Sequence, residues 1–292
     1  VAAGVTTQVR LVSIPSTDPL AAPGNQSLRT RVSINGSVRS DAIVSQEVVR
    51  QFLELVTGTT ADAVTLDREL RSSLLSVEHH VRVPESTGFG SSGAAALSLS
   101  LALNDLLGSP LSRTQCGALA HCAEINCGTG LGTVIGEFYG GCEIRTVAGA
   151  PGVGSIERFD VGERVTAIFV VYGPLSTKSM LADPAARERI NAAGRRYLDR
   201  LLAEKTVDSF MTLSREFAEG SGLISARARA TLDLFDAARL PASMLMFGDG
   251  VFALALRQEL PVIRRLLDKS GQNADLLVST IEPDGGRIIR ED

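Results

Sequence analysis

In Pro84-Glu85-Ser86-Thr87-Gly88-Phe89-Gly90-Ser91-Ser92-Gly93-Ala94-Ala95-Ala96 a strand-like run ends in a Gly/Ser loop that opens directly into an Ala/Leu helix. It reads as a phosphate cradle. Gly88, Gly90 and Gly93 let backbone approach an anion with no Cβ in the way, and the first N–H groups of the helix have no internal partner and point at that anion. Ser91 and Ser92 add hydroxyls suited to a phosphate oxygen or to the metal that accompanies it. A Gly-rich strand-to-helix turn that packs closely and binds nothing is the alternative reading. No Gly-Lys-Ser/Thr follows, so the Walker pattern does not apply.

Upstream and downstream of the cradle, strands and helices mix without regular alternation. Val5 to Val12 and Arg29 to Ile34 alternate as strands, with a turn-rich stretch from Pro15 to Gly24 between them. Val44, Val48, Phe52, Leu55 and Val56 have helical spacing, and Val77 to Val83 returns to strand alternation before the loop. The loop's helix runs through Leu107 to a break at Gly108-Ser109-Pro110. A second small-residue helix follows from Ser112 to about Ile125, with Ser112 and Gln115 at capping-box spacing. Gly128 to Gly154 is glycine-dense, with a strand near Gly141 to Val147. Beyond Ser155, Val165 to Tyr172 is a continuous apolar strand long enough to be buried. Three helical patterns then precede a closing strand, helix and strand between Met244 and Ile281. This is an α+β chain, predicted to divide into lobes 1–154 and 155–292.

Composition excludes several classes. With 292 residues, 44% of them hydrophobic, and a net charge of −4, the chain is an ordinary globular protein with no basic face for nucleic acid. No apolar run is long enough to span a bilayer, and no signal peptide opens the chain, so the cytoplasm is the expected location. Cys116, Cys122, Cys127 and Cys142 lack the Cys-x-x-Cys spacing of zinc sites and read as small packed residues in a reducing compartment. His79 and His80 sit on the strand before the loop and carry no metal pattern.

The loop resembles the nucleotide-binding motif of the GHMP kinase superfamily, small-molecule kinases with Pro, a few residues, and then Gly-(Leu/Phe)-Gly-Ser-Ser. Further blocks follow in the order found in the pantoate kinases of archaea: Ala120-His121-Cys122-Ala123-Glu124, Thr129-Gly130-Leu131-Gly132, Gly140 to Arg145, and Gly149-Ala150-Pro151-Gly152. Gly173 to Lys178, Leu213 to Ala218 and Met246 to Ala253 look like the same subfamily, so the resemblance covers roughly residues 80 to 255. It implies a two-lobe GHMP fold with its active site in the cleft between lobes. It also implies ATP and Mg2+, transfer to the primary hydroxyl of pantoate in coenzyme A biosynthesis, and a homodimer.

Site residues follow position by position. Gly88, Gly90, Ser91, Ser92 and Gly93 match the nucleotide loop. Ser92 and Glu124 are hard oxygen donors suited to magnesium, and the corresponding family residues serve that ion. Glu124 lies in a largely apolar helix, where an unpaired carboxylate would be costly; a salt bridge to an arginine is the competing explanation. Arg145 and Thr177 match substrate-recognition residues, and Arg145 can grip a carboxylate through two hydrogen bonds. His121 matches a functional family histidine, while on a packed helix it also reads as a satisfied core residue. Two departures stand out. Thr133 occupies the position of the family's catalytic aspartate, and a threonine cannot deprotonate an alcohol at neutral pH. The chain also begins at Val1, beyond the family's first strand and Pro-Gly-rich turn, as a trimmed piece or as a relic would. A non-catalytic nucleotide-binding relic and a kinase for another small hydroxy acid therefore stay open beside pantoate phosphorylation.

Overall fold

The computed structural model describes residues 2–13, 29–59, 73–130, 132–174, 183–271 and 273–290. A first sheet has the order β1-β4-β2-β3, from Val5–Ser13 (β1), Arg29–Ile34 (β2), Ser37–Val38 (β3) and Ser73–Val81 (β4). β4 pairs antiparallel with β1, Val9 opposite Val77, and parallel with β2, Val32 opposite Val77. Its alternation buries Leu75, Val77 and His79 against the helices. Helix Ile43–Thr59 (α1) buries Val44, Val48, Phe52 and Val56, one turn apart, in the same core.

Helix Ser91–Leu106 (α2) is buried on most of its circumference, packed among β1, α1 and helix Arg113–Cys127 (α3). Its small residues permit that close approach. After Gly108 the buried Asn104 amide holds Leu111 by both backbone groups, at 2.8 and 2.9 Å, which fixes where α3 starts. Ser112 caps α3, and the reciprocal bond from Gln115 completes the predicted capping box.

The second sheet has the order β10-β7-β9-β8, from Val165–Pro174 (β7), Ser243–Met244 (β8), Gly248–Leu256 (β9) and Asp275–Ser279 (β10). β7 is covered on both faces, which is why its apolar run is continuous. Ile168 and Val170 meet helices Ala226–Ala237 (α7) and Leu260–Ser270 (α8), while Ala167, Phe169 and Val171 meet Leu245, Phe89 and Phe252. Pro184–Ala203 (α5) and Val207–Ser221 (α6) pack together, and α6 lies along β8. Cys142–Val147 (β5) and Ser155–Phe159 (β6) form a separate hairpin. Among the described residues no helix is long and apolar enough to cross a membrane.

Not every cysteine packs as expected. Cys116 is buried, but Cys122 is exposed because its place on α3 turns it to solvent. Pro15 to Gly24 lies outside the described residues.

His79, fully buried on β4, ties the first layer together. Its Nδ1 lies 2.8 Å from the Thr7 hydroxyl of β1 and its Nε2 3.0 Å from the Ser45 hydroxyl of α1. Burial pushes the imidazole down from 6.5 to about 4, with the neighbouring charge of Glu78 opposing. Between those values the unfolded chain binds a proton that the folded chain refuses, so stability is full above pH 6.5 and falls as pH drops toward 4. The group's contribution is about 3 kcal/mol. Denaturant midpoints measured from pH 7 to pH 4 should fall accordingly, and a His79→Gln protein should show a flatter profile. Parallel profiles would remove His79 as the cause.

Candidate active site

The cradle loop sits where the two sheets meet. Phe89 inserts edge-on against Phe169 of the second sheet with ring centroids 4.8 Å apart. A Cβ on Gly88 would lie 2.6 Å from the Met246 carbonyl, and one on Gly248 would overlap the Thr87 carbonyl, so loop and turn are in backbone contact. The glycines therefore do something different from what the sequence implied. Their missing side chains face the protein: at Gly90 a Cβ would lie 2.7 Å from Glu137 Oε1, and at Gly93 2.6 Å from Thr133 Oγ1. Bare Cα atoms let the loop sit flush on its support. Gly88, Gly90 and Gly93 also meet the Gly-x-Gly-x-x-Gly spacing of dinucleotide loops, but the strand before them lies in a mixed sheet rather than a parallel βαβ layer.

Helix α2 begins at Gly90, in the left-handed region at φ 69°, with no side-chain cap. By contrast α3, α5, α6 and α7 are capped by the side chains of Ser112, Asp183, Thr206 and Ser225. The leading N–H groups at Ser91, Ser92 and Gly93 thus keep their hydrogen-bonding capacity at the positive end of the helix dipole. That arrangement suits an anionic group.

Glu124, 2% exposed on α3, reaches the start of α2. Its Oε1 accepts from the Ser92 hydroxyl and, at 2.6 Å, from the Thr129 hydroxyl. No arginine pairs with it among the described residues. A hydroxyl and a carboxylate side by side are hard oxygen donors that fit magnesium, an ion that takes one or two protein ligands and fills its shell with water and phosphate. No larger cluster of His, Cys, Asp and Glu with metal-holding geometry occurs among the described residues.

Gly128, left-handed at φ 66°, ends α3, and the chain turns back so that Gly130 lies against the Glu124 carboxylate. Gly132 then opens a short helix, Thr133–Tyr139 (α4), which the sequence reading did not foresee. Seven residues are too few for a stable helix on their own. Val134, Ile135 and Phe138 bury its inner face, and its last carbonyls are taken by groups from elsewhere. Gly286 N–H donates to the Glu137 carbonyl at 2.8 Å, Arg113 to the Phe138 carbonyl at 2.5 Å, and Arg158 to the Tyr139 carbonyl.

On this pinned helix Thr133 and Glu137 stand one turn apart and face the loop. Glu137 was also missed in the sequence. The residue is half-buried, but its Oε2 is sealed from solvent and has no hydrogen-bond partner among the described residues; the same holds for Thr133 Oγ1. Burial, then the charge of Glu124, pushes the Glu137 carboxyl well above the usual carboxylate range, and Arg145 partly opposes this. His121, 7% exposed and one turn before Glu124, has a sealed Nδ1 without a partner among the described residues, and burial lowers its proton affinity against the pull of Glu124.

Arg145 on β5 lies at the rim, with Nη1 beside Gly132. Its Nε and Nη2 bond one oxygen of Glu143 at 2.8 and 2.7 Å, so a substrate carboxylate would meet a guanidinium already held in place. Thr177 lies outside the described residues.

Residues 54–141 match the family model for the GHMP kinases N terminal domain. The chain is 35% identical over 208 residues to the pantoate kinase of Thermococcus kodakarensis, covering 70% of this chain and 68% of that protein. The chain belongs to the pantoate kinase family of GHMP kinases. It is likewise 36% identical to the pantoate kinase of Methanospirillum hungatei, over 73% of this chain and 68% of that one. A solved structure described as a phosphotransferase related to the CoA biosynthesis pathway superposes with a TM-score of 0.79 at 26% identity, covering 97% of this chain and 85% of its own. The homoserine kinase of Cytophaga hutchinsonii shares the fold at a TM-score of 0.62 and 18% identity, covering 97% and 88%. The two-lobe α+β architecture is that of the GHMP kinases.

Proposed function

We propose that the protein is an ATP- and magnesium-dependent kinase that phosphorylates the primary hydroxyl of pantoate, giving 4-phosphopantoate for coenzyme A biosynthesis. The observation that carries this reading is the placement, in a member of the pantoate kinase family, of an uncapped glycine-rich helix start beside the Ser92–Glu124 pair. The loop from Gly88 to Gly93 receives the nucleotide phosphates on backbone N–H groups and on the hydroxyls of Ser91 and Ser92. Ser92 and Glu124 hold magnesium, which when bound supplies positive charge for the transferring phosphoryl group. Arg145 receives the pantoate carboxylate, and His121 and Thr177 complete the acceptor side. Lobe 1–154 carries the nucleotide loop and lobe 155–292 the second sheet. A homodimer follows from the family alone. A cytoplasmic location agrees with four free thiols.

The test is pantoate-dependent ADP release with phosphorus NMR of the product. Arg145→Ala should raise KM for pantoate by about tenfold or more and leave KM for ATP within about twofold, because the lost bonds serve the acid alone. Bound ATP without pantoate-dependent release would favour the nucleotide-binding relic. Turnover with a different hydroxy acid would reassign the acceptor.

A further inference from the structure

Of the five buried side-chain polar atoms without a partner among the described residues, three lie in this site: His121 Nδ1, Thr133 Oγ1 and Glu137 Oε2. A sealed polar atom without a hydrogen bond destabilises the folded chain, so such atoms gathered at one place call for a role. Two of them converge. The Thr133 hydroxyl and the Glu137 carboxyl press on the same point of the loop, 2.6 and 2.8 Å from where a Cβ on Gly93 would stand. A Cβ on Gly130 would in turn lie 3.5 Å from Thr133 Oγ1 and overlap Glu124 Oε2, so Thr133 stands between the two carboxyls.

Resting on the kinase reading above, we propose that Glu137 supplies, one helical turn further along α4, the carboxyl that position 133 lacks, and that it acts on the acceptor alcohol through the Thr133 hydroxyl. As the pantoate oxygen forms its bond to the γ-phosphorus and the bridging P–O bond to ADP breaks, the alcohol's O–H proton passes to Thr133 Oγ1. The threonine's own proton passes to Glu137 Oε2, leaving threonine unchanged and Glu137 neutral until the proton returns to solvent. Thr133 is then the catalytic residue and Glu137 the positioning residue behind it. Residues four apart on a helix are neighbours, and the relay requires these two groups, not bonded to each other in the structure, to join by side-chain rotation. The relay starts from ionised Glu137, and because burial and then the charge of Glu124 favour its neutral form against the pull of Arg145, kcat should rise with pH until Glu137 has lost its proton, a rise that Glu137→Gln should lack. The fold also fixes the pair: the carbonyl of Glu137 is held by Gly286, and that of Phe138 by Arg113.

The experiment is steady-state pantoate phosphorylation by the full chain and its Glu137→Gln, Thr133→Val, Glu137→Gln/Thr133→Val and Glu137→Gln/Thr133→Asp forms. Glu137→Gln should lower kcat by about 100-fold with both KM values nearly unchanged, the size expected for lost proton transfer. Thr133→Val should lose about as much, and the double variant no more than either single one, because both remove the same path. Aspartate at 133 should restore most of the turnover in the Glu137→Gln background, which a merely structural glutamate would not allow. Unchanged kcat in Glu137→Gln or in Thr133→Val, additive losses, or failure of the aspartate to rescue overturns the relay. If Glu137→Gln does not fold, Thr133→Val decides alone. A wild-type protein that is silent with pantoate overturns the kinase reading together with this one, whereas an active wild type beside an unimpaired Glu137→Gln overturns only this one.

Discussion

Glu124→Gln will lower kcat by about 100- to 1,000-fold while the protein still melts within a few degrees of wild type, the magnitude typical of losing one preorganised electrostatic group. The amide keeps a carbonyl oxygen for the bonds now made by Ser92 and Thr129, so the local hydrogen bonding survives. What disappears is the negative charge. In its buried setting Glu124 has no arginine to neutralise it among the described residues, and a cation bound with the nucleotide is the partner its chemistry calls for. The loss should therefore be accompanied by a raised magnesium requirement, read from initial rates across magnesium concentrations at saturating ATP. A kcat within about threefold of wild type would remove Glu124 from the proposed ion site. The same outcome would leave the buried carboxylate without a function.

The sequence announced the large parts of this fold for definite physical reasons. Helix α1 shows apolar residues a turn apart because one side faces the core, and β7 shows an unbroken apolar run because both its faces are covered. Ser112 and Gln115 marked the start of α3, since capping is a local event between residues three apart. Helix α4 was invisible for the opposite reason. Seven residues span two turns, too few for periodicity to emerge, and the helix is held by carbonyl partners at Gly286, Arg113 and Arg158, distant in sequence. With the helix unseen, Glu137 read as one more acidic residue in a glycine-dense stretch. The signal was faint but present: Val134, Ile135 and Phe138 enclose a carboxylate on a segment otherwise made to be buried. The glycines of the cradle were legible as a loop, yet which way their absent side chains point depends on α4 and the turn at Met246. Arg145 was found as a candidate carboxylate ligand, whereas its anchor Glu143, two residues away on the same strand, became visible only in the structure.

Gly93→Ala will destabilise the protein and impair turnover, whereas Gly194→Ala, the same change of one methyl group, will stabilise it and leave turnover alone. Both glycines lie inside helices, so intrinsic propensity favours alanine at each by up to about 1 kcal/mol. Surroundings decide the sign. No described residue lies within 4 Å of a Cβ at Gly194 on α5, so the propensity gain stands. At Gly93 the new methyl would meet Thr133 Oγ1 at 2.6 Å and the two oxygens of Glu137 at 2.8 and 3.2 Å. Either the side chains rotate away or α2 lifts from α4. Overpacking of this kind costs about 1–3 kcal/mol, enough to outweigh the helix gain. Because displaced atoms belong to the site, the damage also reaches chemistry: a shift of about 1 Å in a positioned group can cost on the order of 100-fold in rate. Denaturant midpoints and kcat measured on both variants separate the effects. Gly93→Ala with wild-type stability and turnover would mean that Thr133 and Glu137 do not press on the loop, and the close support of the cradle by α4 would have to be abandoned.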